Sequence, residues 1–161
     1  MDRRKFIQAM TIAGSSVAVL DKEYLLAEKL LADEKISQSK RNPIILSTWD
    51  FKLPVNETGY KILNAGGSLL DAVEKSINLV EEDPRITSVG RGGYPDRDGH
   101  LTLDACIMDE HGNAGSVVYL EHIMHPISVA RKVMEKTPHV VLAGDGALQF
   151  AVEQGLRRKI S

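Results

Sequence analysis

The spacing of apolar positions changes several times along this chain of 161 residues, and each change predicts an element. Ile44, Ile45 and Leu46 form an unbroken apolar run behind Pro43, which disfavours helix at Asn42. The run predicts a buried strand over 42–51. Its tip, Thr48-Trp49-Asp50-Phe51, would deliver side chains to a surface or a cleft. Val55, Tyr60, Ile62 and Leu63 predict a helix over 55–65, with Pro54 near its start and Gly66-Gly67 to break it. Ser68-Leu69-Leu70-Asp71 has the form of a capping box. Leu69, Val73, Ile77 and Val80 make an apolar stripe down the helix that follows, which stops near Pro84.

Glycines at 90, 92, 93 and 99, with Pro95, predict a loop over 87–99. Strict alternation then takes over. Leu101, Leu103, Ala105 and Ile107 point one way; Thr102, Asp104, Cys106 and Met108 point the other. Glu110-His111-Gly112-Asn113 is turn chemistry, and 114–120 returns as a second strand, which completes a hairpin. Pro126 opens a helix with Ile127, Ala130, Val133 and Met134 on one face, ended by Thr137-Pro138. A short strand over 139–143, a turn at Gly144-Asp145-Gly146 and a helix over 147–154 with Gly155 as its cap complete the pattern. An antiparallel hairpin among helices predicts an α+β fold with helices layered on a sheet of about four strands. So few strands leave a sheet edge open.

The first residues differ from this domain. Arg3-Arg4 with Phe6-Ile7, then an uncharged stretch from Ala9 to Leu20, resembles a twin-arginine signal over 1–20. Residues 21–42 read as a charged linker and 43–161 as the domain. The expectation is a periplasmic or secreted protein with no stable membrane anchor, since a spanning helix needs ~20 apolar residues.

Composition narrows the classes. There is room for one domain. With 20 basic and 22 acidic residues, no basic excess points to nucleic acid. One cysteine excludes an intrachain disulfide and a four-thiolate zinc site.

Each candidate for chemistry has a plainer alternative. Asp104 and Asp109 could do acid–base work, but a separation of five on a strand puts them on opposite faces. They read as a hydrogen-bonded strand Asp and a turn Asp. His122 and His125, with Glu121, suggest a metal, although Pro126 follows directly and H-E-x-x-H is absent. His100, His111 and His139 read as solvated edge residues. Cys106 reads as a small buried hydrophobe rather than a nucleophile, because no nearby base is evident. Gly90-Arg91-Gly92-Gly93 and Gly144-Asp145-Gly146 lack the spacing and the Lys of a phosphate loop. Ser47, Thr48 and Ser88 are hydroxyls without a partner that spacing alone can name.

Several segments together carry a resemblance. They are Leu46-Ser47-Thr48-Trp49-Asp50-Phe51, Gly67 to Glu74, Ser88-Val89-Gly90-Arg91-Gly92-Gly93, Leu103 to Asp109, and Pro126 to Ala147. Over about 43–155 the chain resembles the glycosylasparaginases (aspartylglucosaminidases) of the N-terminal-nucleophile hydrolase superfamily. Ser-Thr-Trp-Asp-Phe distinguishes that group from isoaspartyl peptidases and plain asparaginases, which are the alternative relatives. The resemblance implies half of a four-layer αββα sandwich. It also implies a precursor that cuts itself into α and β subunits, which assemble as a dimer of αβ heterodimers. The expected activity is hydrolysis of the amide between N-acetylglucosamine and asparagine in a glycosylated asparagine, without cofactor or metal. The implied nucleophile is a Thr freed at the β N-terminus, whose own α-amine serves as base. The family's His-Asp-Thr junction does not occur in this sequence. The chain is therefore expected to hold the α part, with no catalytic residue of its own and no activity alone; a catalytically dead remnant or an exported binding domain is the competing expectation. By resemblance Trp49 is a wall of the substrate site, and Phe51 and Ser88 support autoprocessing.

Overall fold

The computed structural model describes residues 42–156, with a compact unit that begins at Pro43. The predicted export segment, and the predicted linker apart from Asn42, lie outside the described residues. Among the described residues four helices and one three-stranded sheet account for the regular structure beside one 3-10 turn: α1 (Val55–Asn64), α2 (Leu69–Glu82), β1 (Leu103–Met108), β2 (Ala114–Leu120), α3 (Pro126–Lys136), β3 (Val141–Ala143) and α4 (Gly144–Glu153). A 3-10 turn at Gly90–Gly92 interrupts the predicted loop. The fold is mixed α+β, as the pattern requires.

The sheet is built in chain order. β1 pairs antiparallel with β2, and β2 pairs parallel with β3. α3 makes the crossover that a parallel pair demands. The predicted alternation holds on β1: Leu103, Ala105 and Ile107 turn inward, and Asp104, Cys106 and Met108 turn out. Cys106 is therefore exposed, not the buried hydrophobe expected. Its parity puts it with Asp104 and Met108 on the bare face.

On β2 the alternation slips. Leu103 faces Leu120 while Ala105 faces Val117, so Asp104 stands opposite two residues, Val118 and Tyr119. This is a β-bulge. Tyr119 takes φ 53, and its amide donates to Asp104 Oδ1 at 2.8 Å, so the carboxylate replaces the missing ladder partner. The slip restores Leu120 to the interior. Asp109 closes the hairpin turn, accepting from His111 and Asn113. Both Asp residues thus have the structural roles their spacing predicted.

The core lies on one face of the sheet. Ile107, Val117 and Leu120 meet Ile127, Ala130 and Val133 of α3 and Ala147 and Ala151 of α4. At Gly115 the approach is closest: a Cβ there would lie 2.2 Å from the Ala130 carbonyl oxygen. The opposite face carries Met108, 65% exposed, with Val118 and Val141. Gly144-Asp145-Gly146 is not a turn before α4 but its first turn, where Asp145 faces the positive end of the helix dipole.

Three further expectations change. Residues 42–51 form no strand. Their side chains keep period two, with Pro43 and Ile45 half-buried and Ile44 and Leu46 out, but no described strand runs beside them to complete a ladder. Leu46 is 89% exposed. The sheet consequently has three strands among the described residues, not four. The stripe on α2 is also only partly buried: Val80 is in the core, whereas Leu69 and Val73 are exposed. The cap at Ser68 does form, with Oγ accepting from the Asp71 amide at 3.0 Å.

Candidate active site

Two of the three predicted site residues, Trp49 and Phe51, line a groove between the 42–51 segment and the pair α1–α2. It encloses about 470 Å³ and is mostly apolar. Ile45, Val55, Leu69, Val73 and Ile77 line it, with the exposed Trp49 at its rim. Trp49 and Phe51 share this groove, Phe51 half-buried and Trp49 72% exposed. Ser88 is exposed in the bend before the 3-10 turn; its neighbour Val89, not Ser88 itself, lines the groove. Gly90 sets that bend against α2. It has φ 63, and a Cβ there would lie 2.3 Å from the backbone of Glu81, so no other residue fits.

The walls hold few groups that could act on a substrate. The Ser47 hydroxyl donates to Asn56 Oδ1, and Ser76 donates to the Val55 carbonyl at 2.9 Å. None is a hydroxyl beside a base. Among the described residues no group of three or more His, Cys, Asp or Glu is placed to hold a metal ion. No described helix is long and apolar enough to cross a membrane.

His122 and His125 do not converge on one site. His125 bridges two carboxylates, with Nδ1 at 3.2 Å from Glu81 and Nε2 at 3.2 Å from Glu82. His122 and His100 lie beside Glu121 on the far side of the 3-10 turn, at 3.4 and 3.7 Å. His111 and His139 are exposed.

A polar ladder behind the groove escaped the sequence reading. Asp71, Glu74, Asn78 and Glu81 sit three and four residues apart on α2 and face α3. Arg131 donates to Asp71 at 2.6 Å, to Glu74 at 2.7 Å and to Glu135 at 2.7 Å. The guanidinium's bonds to Glu135, Asp71 and Glu74 outweigh burial and push its pKa up. Hydrogen bonds from Arg131, then Ser68, hold the Asp71 carboxyl below its usual range. Burial raises Glu74, but hydrogen bonds from Ser128 and Arg131 win and leave it low. Glu81 is 2% exposed and accepts the Ile127 amide at 3.0 Å. It thereby caps α3 from outside, where His125 offers no cap of its own. The signal was present in the 3-4-3 spacing of polar residues on a helix otherwise read by its apolar stripe.

A family model described as asparaginase matches residues 31–160. The chain belongs to the asparaginase family. Within it, an N(4)-(beta-N-acetylglucosaminyl)-L-asparaginase from Elizabethkingia miricola is 54% identical over 158 residues, 98% of this chain and 45% of that protein. The enzyme of the same name from Rattus norvegicus is 42% identical over 133 residues, 82% of this chain and 38% of its own length. An isoaspartyl peptidase from Salmonella typhimurium is 46% identical over 105 residues, 63% of this chain and 33% of that protein. The chain thus spans less than half the length of these relatives. The likeness to glycosylasparaginase read from the motifs is borne out.

Proposed function

We propose that these residues form the α part of an amidohydrolase that cleaves the amide between N-acetylglucosamine and asparagine. One observation carries the reading: the match to a protein named for that activity runs through 98% of this chain, including the Trp49 segment. The finer architecture follows from it. The described sheet has helices on one face and Met108, Val118 and Val141 bare on the other. A second sheet laid on that face, backed by its own helices, would give the four-layer αββα sandwich. The 42–51 segment, already extended, would gain its ladder in the same step.

In this reading the nucleophile is a Thr hydroxyl on a β segment outside these residues, released by self-cleavage, with its α-amine as base. The hydroxyl attacks the side-chain carbonyl of the glycosylated asparagine, the amine of the sugar leaves, and water then frees aspartate. Trp49 walls the asparagine portion, and Phe51 and Ser88 support the self-cleavage. The β segment is the obligatory partner, and two αβ units form the dimer. Residues 1–20 direct export and 21–42 link them to the domain.

The test is to produce the chain together with a nucleophile-bearing β segment and supply glycosylated asparagine. Release of aspartate and aminosugar is the expected result, with none from the 161-residue chain alone. A second reading, hydrolysis of isoaspartyl peptides, rests on the Salmonella relative. Turnover of an isoaspartyl dipeptide with no release from glycosylated asparagine would decide for it.

A further inference from the structure

We propose that Asn56 is a positioning residue for Trp49, through a brace that fixes the tip of the 42–51 segment before substrate arrives. The proposal rests on the function above for what Trp49 touches; the brace itself rests on geometry. Trp49 is 72% exposed, so packing does not hold it. Two polar clamps flank it instead. Downstream, Asp50 Oδ1 accepts the Lys52 amide at 3.0 Å, and its other oxygen pairs with the Lys52 ammonium. Lys52 takes φ 58, which turns the chain back on itself after the tip. Upstream, the Ser47 hydroxyl donates to Asn56 Oδ1 in the first turn of α1. Only Thr48 and Trp49 lie between the two clamps.

The clamps differ in what they hold. The Asp50–Lys52 pair is local and exposed, so it shapes the tip without tying it to anything. The Ser47–Asn56 bond ties the tip to a helix. That helix has little slack. Ser76 of α2 holds the carbonyl of Val55, the residue before Asn56, and a Cβ at Gly59 would stand 2.8 Å from the same hydroxyl. Position is thus passed from α2 through α1 and Asn56 to Ser47 and Trp49. Asn is a weak helix former, and its amide here serves the neighbouring segment rather than its own helix.

Trp49 is the one tryptophan of the 161-residue chain, so its fluorescence reads the brace directly. Asn56→Ala and Ser47→Ala should each lower its anisotropy and raise its quenching by acrylamide. The double variant should add nothing to either single one. Asn56→Asp keeps an acceptor for the Ser47 hydroxyl and should restore the wild-type values. Ser47 is exposed, so its variant leaves the fold in place. In the active enzyme Asn56→Ala should raise KM about fivefold with kcat unchanged, the loss expected when one net hydrogen bond steadies a binding wall. Absence of hydrolysis in every form would overturn the functional reading and leave the brace standing. Unchanged quenching in Asn56→Ala, or failure of Asn56→Asp to restore it, would overturn the brace whatever the turnover.

Discussion

Two residues hold conformations or environments that their types normally avoid, and both do so for a neighbour's sake. Glu81 is a buried carboxylate whose oxygens satisfy the Ile127 amide, Asn78 and His125. Glu81→Ala leaves the buried Ile127 amide without a partner, while Asn78 keeps Ser128 and His125 keeps Glu82, and should cost about 2–3 kcal/mol in chemical denaturation. Glu81→Gln keeps an acceptor for Ile127 and should cost less. Tyr119 is the second case. A left-handed conformation costs an L-residue about 1–2 kcal/mol, and glycine removes that cost at the expense of about 0.5–1 kcal/mol of chain entropy. Tyr119→Gly should therefore stabilise the chain slightly, read as a higher urea midpoint. Neither residue was legible in the sequence. A bulge is a two-against-one register, and parity along one strand does not reveal what stands opposite. Glu81 follows Val80 in the apolar stripe, and only the 3-4-3 polar spacing beside it betrays the second face.

At the scale of elements, α2 and α3 are joined by charge as much as by apolar contact. Arg131 and Glu74 are largely shielded from water, and Asp71 closes the network at its edge. Both carboxyls titrate lower in the folded chain than in the unfolded one. Their stabilisation is thus complete above the ordinary Glu value of 4.5 and is lost as pH falls through the depressed folded values. The urea midpoint should fall steeply below about pH 4.5, and Arg131→Met should flatten that dependence. Elements with strong periodicity were predicted nearly to the residue. The helix at Pro126 and the hairpin are examples, because amphipathic period and turn chemistry agree there. The 42–51 run failed for a reason of another kind. Three apolar residues make a strand only when a second strand supplies its hydrogen bonds, and that partner is not a property of the run itself. The same holds for Trp49: local sequence shows an aromatic tip, whereas the groove it rims needs α1 and α2 to be in place.

On the scale of the whole molecule, the fold class followed from the order of elements, and the site followed from motifs rather than from any cluster of reactive groups. The sheet's order carries a further consequence, for the time course of folding. β1, β2, α3 and β3 neighbour each other in space in the same order as along the chain. No late segment has to be threaded between earlier ones, and contacts close over short loops, which favours rapid folding. On refolding of the full chain this unit should gain structure first, ahead of the α1–α2 groove. Native-state hydrogen exchange offers the check. Amides of Val117 and Ile107 should exchange only through global unfolding, while those of Gly59 and Tyr60 open earlier. Equal protection in α1 and β2 would show instead that the groove and the sheet form as one cooperative unit.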